Sequence, residues 1–174
     1  SGTSVVTVTP IPLTPAIGPV GPVVACEGTA AIVLTSSAGS GNQWYKDGSP
    51  IGGATATTLN ITTAPGNSGS YTVISTVSGC ASLVSTAVSV TINALPLTTP
   101  VVAPATTTIC SGSTVTVSVA GSQAGINYEL FDGVTSLSAA VAGTGGAINL
   151  ITSALTANTT ITVRATNPTT SCTT

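Results

Sequence analysis

Two short steps, Cys26-Glu27-Gly28 and Cys110-Ser111-Gly112, stand eighty-four positions apart, and each is followed by one further cysteine, Cys80 and Cys172. Thiols at this density either hold a soft metal or cross-link the chain. A zinc site wants Cys-x-x-Cys spacing or histidine partners, and the chain has neither. Cross-linking is left, with one pair per repeat: Cys26 with Cys80 and Cys110 with Cys172. On the chain-entropy account each such bridge stabilises its domain by roughly 4 kcal/mol. Bridges of this kind persist in oxidising spaces outside the cytoplasm.

The rest of the ionisable inventory is short: Glu27, Lys46, Asp47, Glu129, Asp132 and Arg164. Glu129 and Asp132 are three apart in one strand and turn, so they point to opposite faces and do not converge as a general acid and base must. With no histidine and every cysteine assigned, the chain reads as a non-enzyme. Calcium needs several clustered carboxylates, so no metal and no cofactor is expected. Lys46 adjoins a turn, where a solvated lysine is expected in preference to the buried, acid-flanked lysine that an isopeptide cross-link requires. Trp44 is read as core, and Tyr45, alternating to the other face, is the side chain available to stack on a surface glycan.

Charged residues make up 3% of the chain, against about 25% in an ordinary soluble domain. Solubility then rests on hydroxyls and backbone. The longest unbroken apolar run, residues 30–34, is far short of a membrane-spanning helix. With 3% aromatic residues the girdles of a membrane barrel are missing as well. Membrane insertion is not expected. Two basic residues make nucleic acid a poor partner. The opening Ser-Gly-Thr-Ser reads as a mature or excised start, with no leader visible.

The elements that position these residues are strands. Alternating apolar runs recur at short spacing between Gly, Pro, Asn and Ser, and no 3.6-residue period is sustained, so the class is all-β. Strands are expected in the first repeat near residues 20–24, 30–35, 42–46, 57–61, 70–76 and 84–92. In the second they are expected near 101–107, 114–120, 127–131, 147–151 and 159–165, with a ribbon near 134–141. Val115, Val117 and Val119 share one face and should be core. Asp47-Gly48 and Asp132-Gly133 each signal a hairpin at equivalent places. Pro96, Pro100 and Pro104 make a stiff linker between the repeats, as Pro10, Pro12, Pro15, Pro19 and Pro22 do before the first.

The offset of eighty-four also carries Val6, Val8 and Pro12 onto Val90, Ile92 and Pro96. Residues 1–12 therefore read as the closing strand of a preceding repeat, or as a donor strand formed by Ser4, Val5, Val6, Thr7, Val8 and Thr9. Residues 13–95 form repeat one, and 96–174 form repeat two, which lacks its last strand. A tandem repeat without reactive groups suits a stalk or adhesive fibre.

Gln43-Trp44-Tyr45-Lys46-Asp47-Gly48, followed by Leu59-Asn60-Ile61 and Gly69-Ser70-Tyr71-Thr72-Val73, resembles the core pattern of immunoglobulin-like domains. The resemblance implies two tandem immunoglobulin-like β-sandwiches joined by a Pro-rich linker. Trp44, Tyr71 and Tyr128 would belong to the structural core, with Tyr71 forming a tyrosine corner. The cysteines depart from that pattern. Val73 and Ser36 stand about where the two immunoglobulin cysteines would be, so the bridge of repeat one is expected at one end of the sandwich. The displaced cysteines, with Gly125-Ile126-Asn127-Tyr128 and Thr162-Val163-Arg164-Ala165-Thr166-Asn167, look like the repeats of very large Bacteroidetes surface proteins, gliding-motility adhesins among them.

That likeness implies a structural or adhesive segment on the bacterial cell surface, exported by the type IX route. Its partners would be neighbouring repeats of the same polypeptide, identical chains head to tail, or surface glycans. Two other roles fit the same residues: a carbohydrate-binding module of a secreted enzyme, and a self-assembling filament subunit polymerising by strand donation.

Overall fold

The computed structural model describes residues 2–97 and 101–174; Pro100, one of the linker prolines, lies outside them. The chain divides into two units, residues 1–93 and 94–174. Every regular element except one 3-10 turn at Pro65–Asn67 is a strand.

The first unit contains β1 (Ile17–Gly18), β2 (Val23–Cys26), β3 (Ile32–Ser36), β4 (Asn42–Lys46), β5 (Ser49–Pro50), β6 (Thr58–Ile61), β7 (Gly69–Val77), β8 (Cys80–Ala81) and β9 (Val88–Asn93). One sheet runs β1-β3-β6 and the other β2-β9-β7-β4-β5, with β8 folded back on the end of β7. All pairs are antiparallel except β2 with β9, which is parallel. The edge segment thus joins one sheet as β1, crosses at Pro19–Pro22 and joins the other as β2. Three strands facing five in this order make an immunoglobulin-like sandwich.

Its core is Ile17, Leu34, Trp44, Ile61, Tyr71, Val73, Val88, Val90 and Ile92. Strand alternation supplies these from both sheets. Trp44 is fully buried, and its indole N–H donates to the Ala56 carbonyl at 2.9 Å, so the largest side chain brings no unpaired polar atom inside. The Tyr71 hydroxyl donates to the Asn67 carbonyl at 2.6 Å. Ser36, at the place of an immunoglobulin cysteine, instead donates to Asn42 Oδ1 at 2.8 Å within the sandwich.

The second unit contains β10 (Val101–Ala103), β11 (Thr116–Ala120), β12 (Asn127–Asp132), β13 (Thr135–Ser136), β14 (Val141–Ala142), β15 (Ile148–Ile151) and β16 (Thr162–Thr166). One sheet is β10-β11-β15. In the other, β12 is flanked by β16 on one side and by β13 and β14 on the other. Val115, Val117 and Val119 all face the core, beside Tyr128, Leu130, Ile148 and Leu150. Registers match the units strand for strand: Trp44 pairs with Val73, and Leu130 with Val163. A leucine therefore holds the position of the tryptophan. Tyr128 sits one inward step earlier, its hydroxyl accepting from the Gln123 N–H at 2.7 Å.

Several sequence expectations are corrected. The hairpins are not equivalent. Asp47 and Gly48 are the two turn residues of the first, both with positive φ (51° and 80°), whereas Asp132 ends its strand and Gly133 (φ 57°) leads a turn completed by Val134. A leading glycine is the requirement of the type II′ hairpin, and two positive-φ residues that of type I′. The strand expected over residues 84–92 begins only at Val88. Before it, Ser82 and Ser85 hydroxyls accept from the Ser75 and Val73 N–H groups at 3.0 Å each, so side chains complete the ladder there. The strand expected over 101–107 stops at Ala103.

The cysteine pairing is also corrected: Cys80 and Cys110 are free thiols, while Cys26 and Cys172 are disulfide-bonded. Neither within-repeat bridge exists, and in the first unit strand direction explains why. β2 is parallel to β9 and β9 is antiparallel to β7, so the end of β2 lies level with the start of β7. Cys26, leading into β3, registers with Asn93 beyond the start of β7, whereas Cys80 pairs with Val77 at its end. The nine residues of β7 lie between those levels, roughly 30 Å at the rise of a strand. A disulfide spans Cα atoms about 4.4–6.8 Å apart.

Trp44→Ala should destabilise the first unit by about 3–5 kcal/mol, the range for emptying a large aromatic site; denaturant melts of the variant measure it, and a loss under about 1 kcal/mol contradicts the packing. Burial, then the charge of Asp47, push the Tyr71 phenol above its usual range. The unfolded chain therefore ionises first, and stability present at neutral pH falls as pH climbs through the alkaline range of an ordinary tyrosine. Tyr71→Phe should remove that part of the alkaline slope in melts compared at neutral and alkaline pH.

Candidate functional site

Reactive groups do not converge anywhere among the described residues. No cluster of three His, Cys, Asp or Glu side chains is present there. Asp47 accepts from the Ser70 N–H at 2.8 Å, and Glu129 accepts from the Ser136 hydroxyl, so both carboxylates tie local turns and strands together. Lys46 Nζ donates to the Gly66 carbonyl at 2.6 Å, pinning the loop that carries the 3-10 turn. Arg164 stacks 3.7 Å from the centroid of the Phe131 ring, a cation–π contact on the outer face of the sheet. Of the five aromatic residues, Trp44, Tyr71, Tyr128 and Phe131 are buried and Tyr45 is half-buried. A sugar platform of paired exposed rings is therefore not formed, and Tyr45 is left to act alone.

The site with shape lies in the second unit. A cleft of about 790 Å³ opens between residues 102–111 and 155–161. Its floor is apolar, made by Val115, Val117 and Leu155, and its walls are Thr107 to Cys110 on one side and Thr159 to Ile161 on the other. The comparison with the first unit explains it. There β9 lies between β2 and β7, and Val88, Val90 and Ile92 drop from it into the core at 4%, 2% and 4% exposure. In the second unit no strand among the described residues takes the β9 place beside β16.

The consequence reaches the cleft's other wall. In the first unit β2 pairs only with β9. Its counterpart in the second, running to Cys110, has no such neighbour among the described residues, and residues 104–111 are coil and exposed throughout. The cleft is thus a strand-wide slot with an apolar floor and two rows of backbone groups. Unpaired edges of this kind are templates for a further strand.

The expected donor residues Ser4, Val5, Val6, Thr7, Val8 and Thr9 lie outside every strand and are exposed, with Val5, Val6 and Val8 at 90%, 81% and 86%. Near them, the Cys80 thiol reaches the Thr9 carbonyl at 3.8 Å. The cleft walls at Thr107 to Cys110 and Thr159 to Ile161 escape a sequence reading because they are threonine-rich and unpatterned. Only the alignment of the two units in space marks them.

No family model matches the chain, and no curated protein does. Among solved structures, the chain is similar to the human OSCAR ligand-binding domain at 17% identity and a TM-score of 0.36, covering 92% of each chain. It is also similar to Sidekick-1 immunoglobulin domains 1–5 at 13% identity and a TM-score of 0.35, covering 91% of this chain and 39% of that one. The immunoglobulin-like assignment rests on the strand order described above.

The cysteine states give a direct check. Mass-tagged alkylation of protein isolated without added oxidant should modify Cys80 and Cys110 before reduction, and Cys26 and Cys172 only after it. Blocked Cys80 and Cys110 thiols would contradict the free state of these two cysteines.

Proposed function

We propose that this chain is a structural and adhesive segment of an extracellular bacterial surface filament or giant repeat protein, in which immunoglobulin-like modules give spacing and display. The observation that carries the reading is the repetition itself: two sandwiches of one plan, with polar side chains spent on strand ladders and turns and not gathered into a reactive centre. The pair of oxidised cysteines supports a setting outside the cytoplasm. The resemblance of Cys110-Ser111-Gly112 and its companion motifs to Bacteroidetes surface repeats supports export by the type IX route and a part in gliding or attachment. A carbohydrate-binding role draws less support, because Trp44, the ring best suited to stacking, is fully buried.

The polar side chains of such a segment act mechanically. Hydroxyls of Ser36, Ser75, Ser82, Ser122 and Thr152 are buried and bonded to the chain, and no buried side-chain polar atom among the described residues lacks a partner. A sandwich closed this way resists extension through backbone ladders that must shear together.

In the source organism, an antibody against this chain should detect, on a denaturing reducing gel, a polypeptide many times its 16.6 kDa mass. Brief protease treatment of intact cells should remove that signal. A band at 16.6 kDa would point to a polymerising subunit instead, and a signal protected until lysis would sink the surface assignment.

A further inference from the structure

An unpaired strand edge leaves main-chain donors and acceptors in a row, ready to take another strand. In the first unit the two sheets end at β1, β2, β5 and β6. All but the last are guarded by the devices that edges commonly use, which are short length, proline and charge. β1 is two residues long and is flanked by Pro15 and Pro19. β2 lies between Pro22 and Glu27. β5 is two residues long and contains Pro50. The stretch of β7 beyond its pairing with β9 is closed as well, since the Ser82 and Ser85 hydroxyls accept from the Ser75 and Val73 N–H groups. β6 has none of these guards, because residues 51–64 contain neither proline nor a charged residue.

Pairing with β3 fixes which groups of β6 look outward. The Ser36 N–H donates to the Thr57 carbonyl at 2.7 Å, so Ser36 and Thr57 are a hydrogen-bonded pair. By alternation Leu34 with Leu59 and Ile32 with Ile61 are hydrogen-bonded pairs too. The main-chain groups of Thr58 and Asn60 therefore point away from β3, and no partner meets them among the described residues. Both of these residues are exposed, and Leu59 between them is half-buried. Turned antiparallel on itself about Leu59, this strip sets Thr58 opposite Asn60 and Leu59 opposite Leu59.

We propose that β6 of one copy of this chain pairs antiparallel with β6 of another, side by side, with Leu59 at the two-fold axis. Thr58 of each copy exchanges both main-chain bonds with Asn60 of the other, and hydroxyl meets amide on the outer face. The Leu59 side chains meet on the inner face, extending the core against which Leu59 already packs. Two β1-β3-β6 sheets become one continuous sheet. A second copy is the partner because the strip matches itself in both side-chain rows, as a two-fold joint requires, and because it carries no charge to repel its own kind. The edge strand of the second unit, β15, would set Asn149 against Ile151 in the same arrangement and lacks that match.

A joint of so few residue pairs is weak alone. A polypeptide that repeats the module multiplies it, since each closed joint raises the effective concentration of the next. The inference rests on the proposed repeat-protein role for that multiplication, and it gives the role a chemistry: lateral adhesion between like molecules.

Sedimentation velocity of the full chain carrying Cys80→Ser and Cys110→Ser, which silence the free thiols, should show the 16.6 kDa monomer exchanging with a dimer as concentration rises toward about 1 mM. Asn60→Pro removes an outward N–H and no bond to β3, a change that edge strands tolerate. It should weaken association at least about tenfold and leave the melting temperature close to that of the parent. Thr58→Lys, which brings like charges together across the axis, should do the same and serves if the proline variant does not fold. Register is read by mixing a Thr58→Cys chain with an Asn60→Cys chain, both in the thiol-silenced protein. Facing residues of a hydrogen-bonded pair have Cα atoms about 5.5 Å apart, within the span of a disulfide. With glutathione disulfide the mixture should give far more cross-linked dimer on a non-reducing gel than either chain alone.

A protein that stays monomeric to about 1 mM overturns the joint. Association that survives both Asn60→Pro and Thr58→Lys overturns β6 as its seat, and equal cross-linking in mixed and unmixed chains overturns the register. None of these results bears on surface location, which the protease experiment decides separately.

Discussion

A sandwich of this kind depends on its seventh strand, β7 in the first unit and β16 in the second, having a neighbour on each side. In the first unit β4 supplies one flank and β9 the other, and the same β9 roofs the core with Val88, Val90 and Ile92. Backbone pairing and apolar burial are then satisfied by one segment. Removing it costs twice, because an orphaned edge and an uncovered floor appear together. In the second unit residues 104–111 are exposed coil, and Val115 and Val117 line a cleft.

The same constraint decides what the cysteines can do. In the first unit a cysteine at the end of β2 and one that follows β7 belong to opposite ends of the sandwich, since β2 runs against β7. In the first unit the bridge that repetition suggests would have to span the length of β7. The first unit keeps a cysteine at each end, Cys26 oxidised and Cys80 a free thiol. The cores are left to Trp44, Leu130 and the aliphatic residues around them.

A chain with 3% charged residues must also find another way to hold its polar backbone. Hydroxyls fill this role. Ser82 and Ser85 complete the ladder beside β7, Ser138 caps Leu130 at 2.9 Å, and Thr152 caps Val115 at 2.9 Å. These substitutions occur where strands bulge or stop, so serine and threonine let the sheets bend without stranding an N–H group. Gly41 and Gly143 serve the same economy: a Cβ at either would come within 2.1 Å of a carbonyl oxygen, of Thr76 and Gln123 respectively, so those two loops can close only on glycine.

Alternation, turn residues and the eighty-four-residue offset were enough, in the sequence alone, to determine an all-β chain of two like units, the inward face of Val115, Val117 and Val119, and the central place of Trp44. These are local properties, set by the two-residue period of a strand and by the few residues that accept positive φ. The sequence also contained the likeness of residues 4–9 to β9. Only the tertiary structure decided which cysteines are oxidised and which are free, where each hairpin turns, and that Thr107 to Cys110 and Thr159 to Ile161 form two walls of one slot. Those are matters of strand direction and of which distant edges lie side by side, and periodicity along a chain carries no information about either.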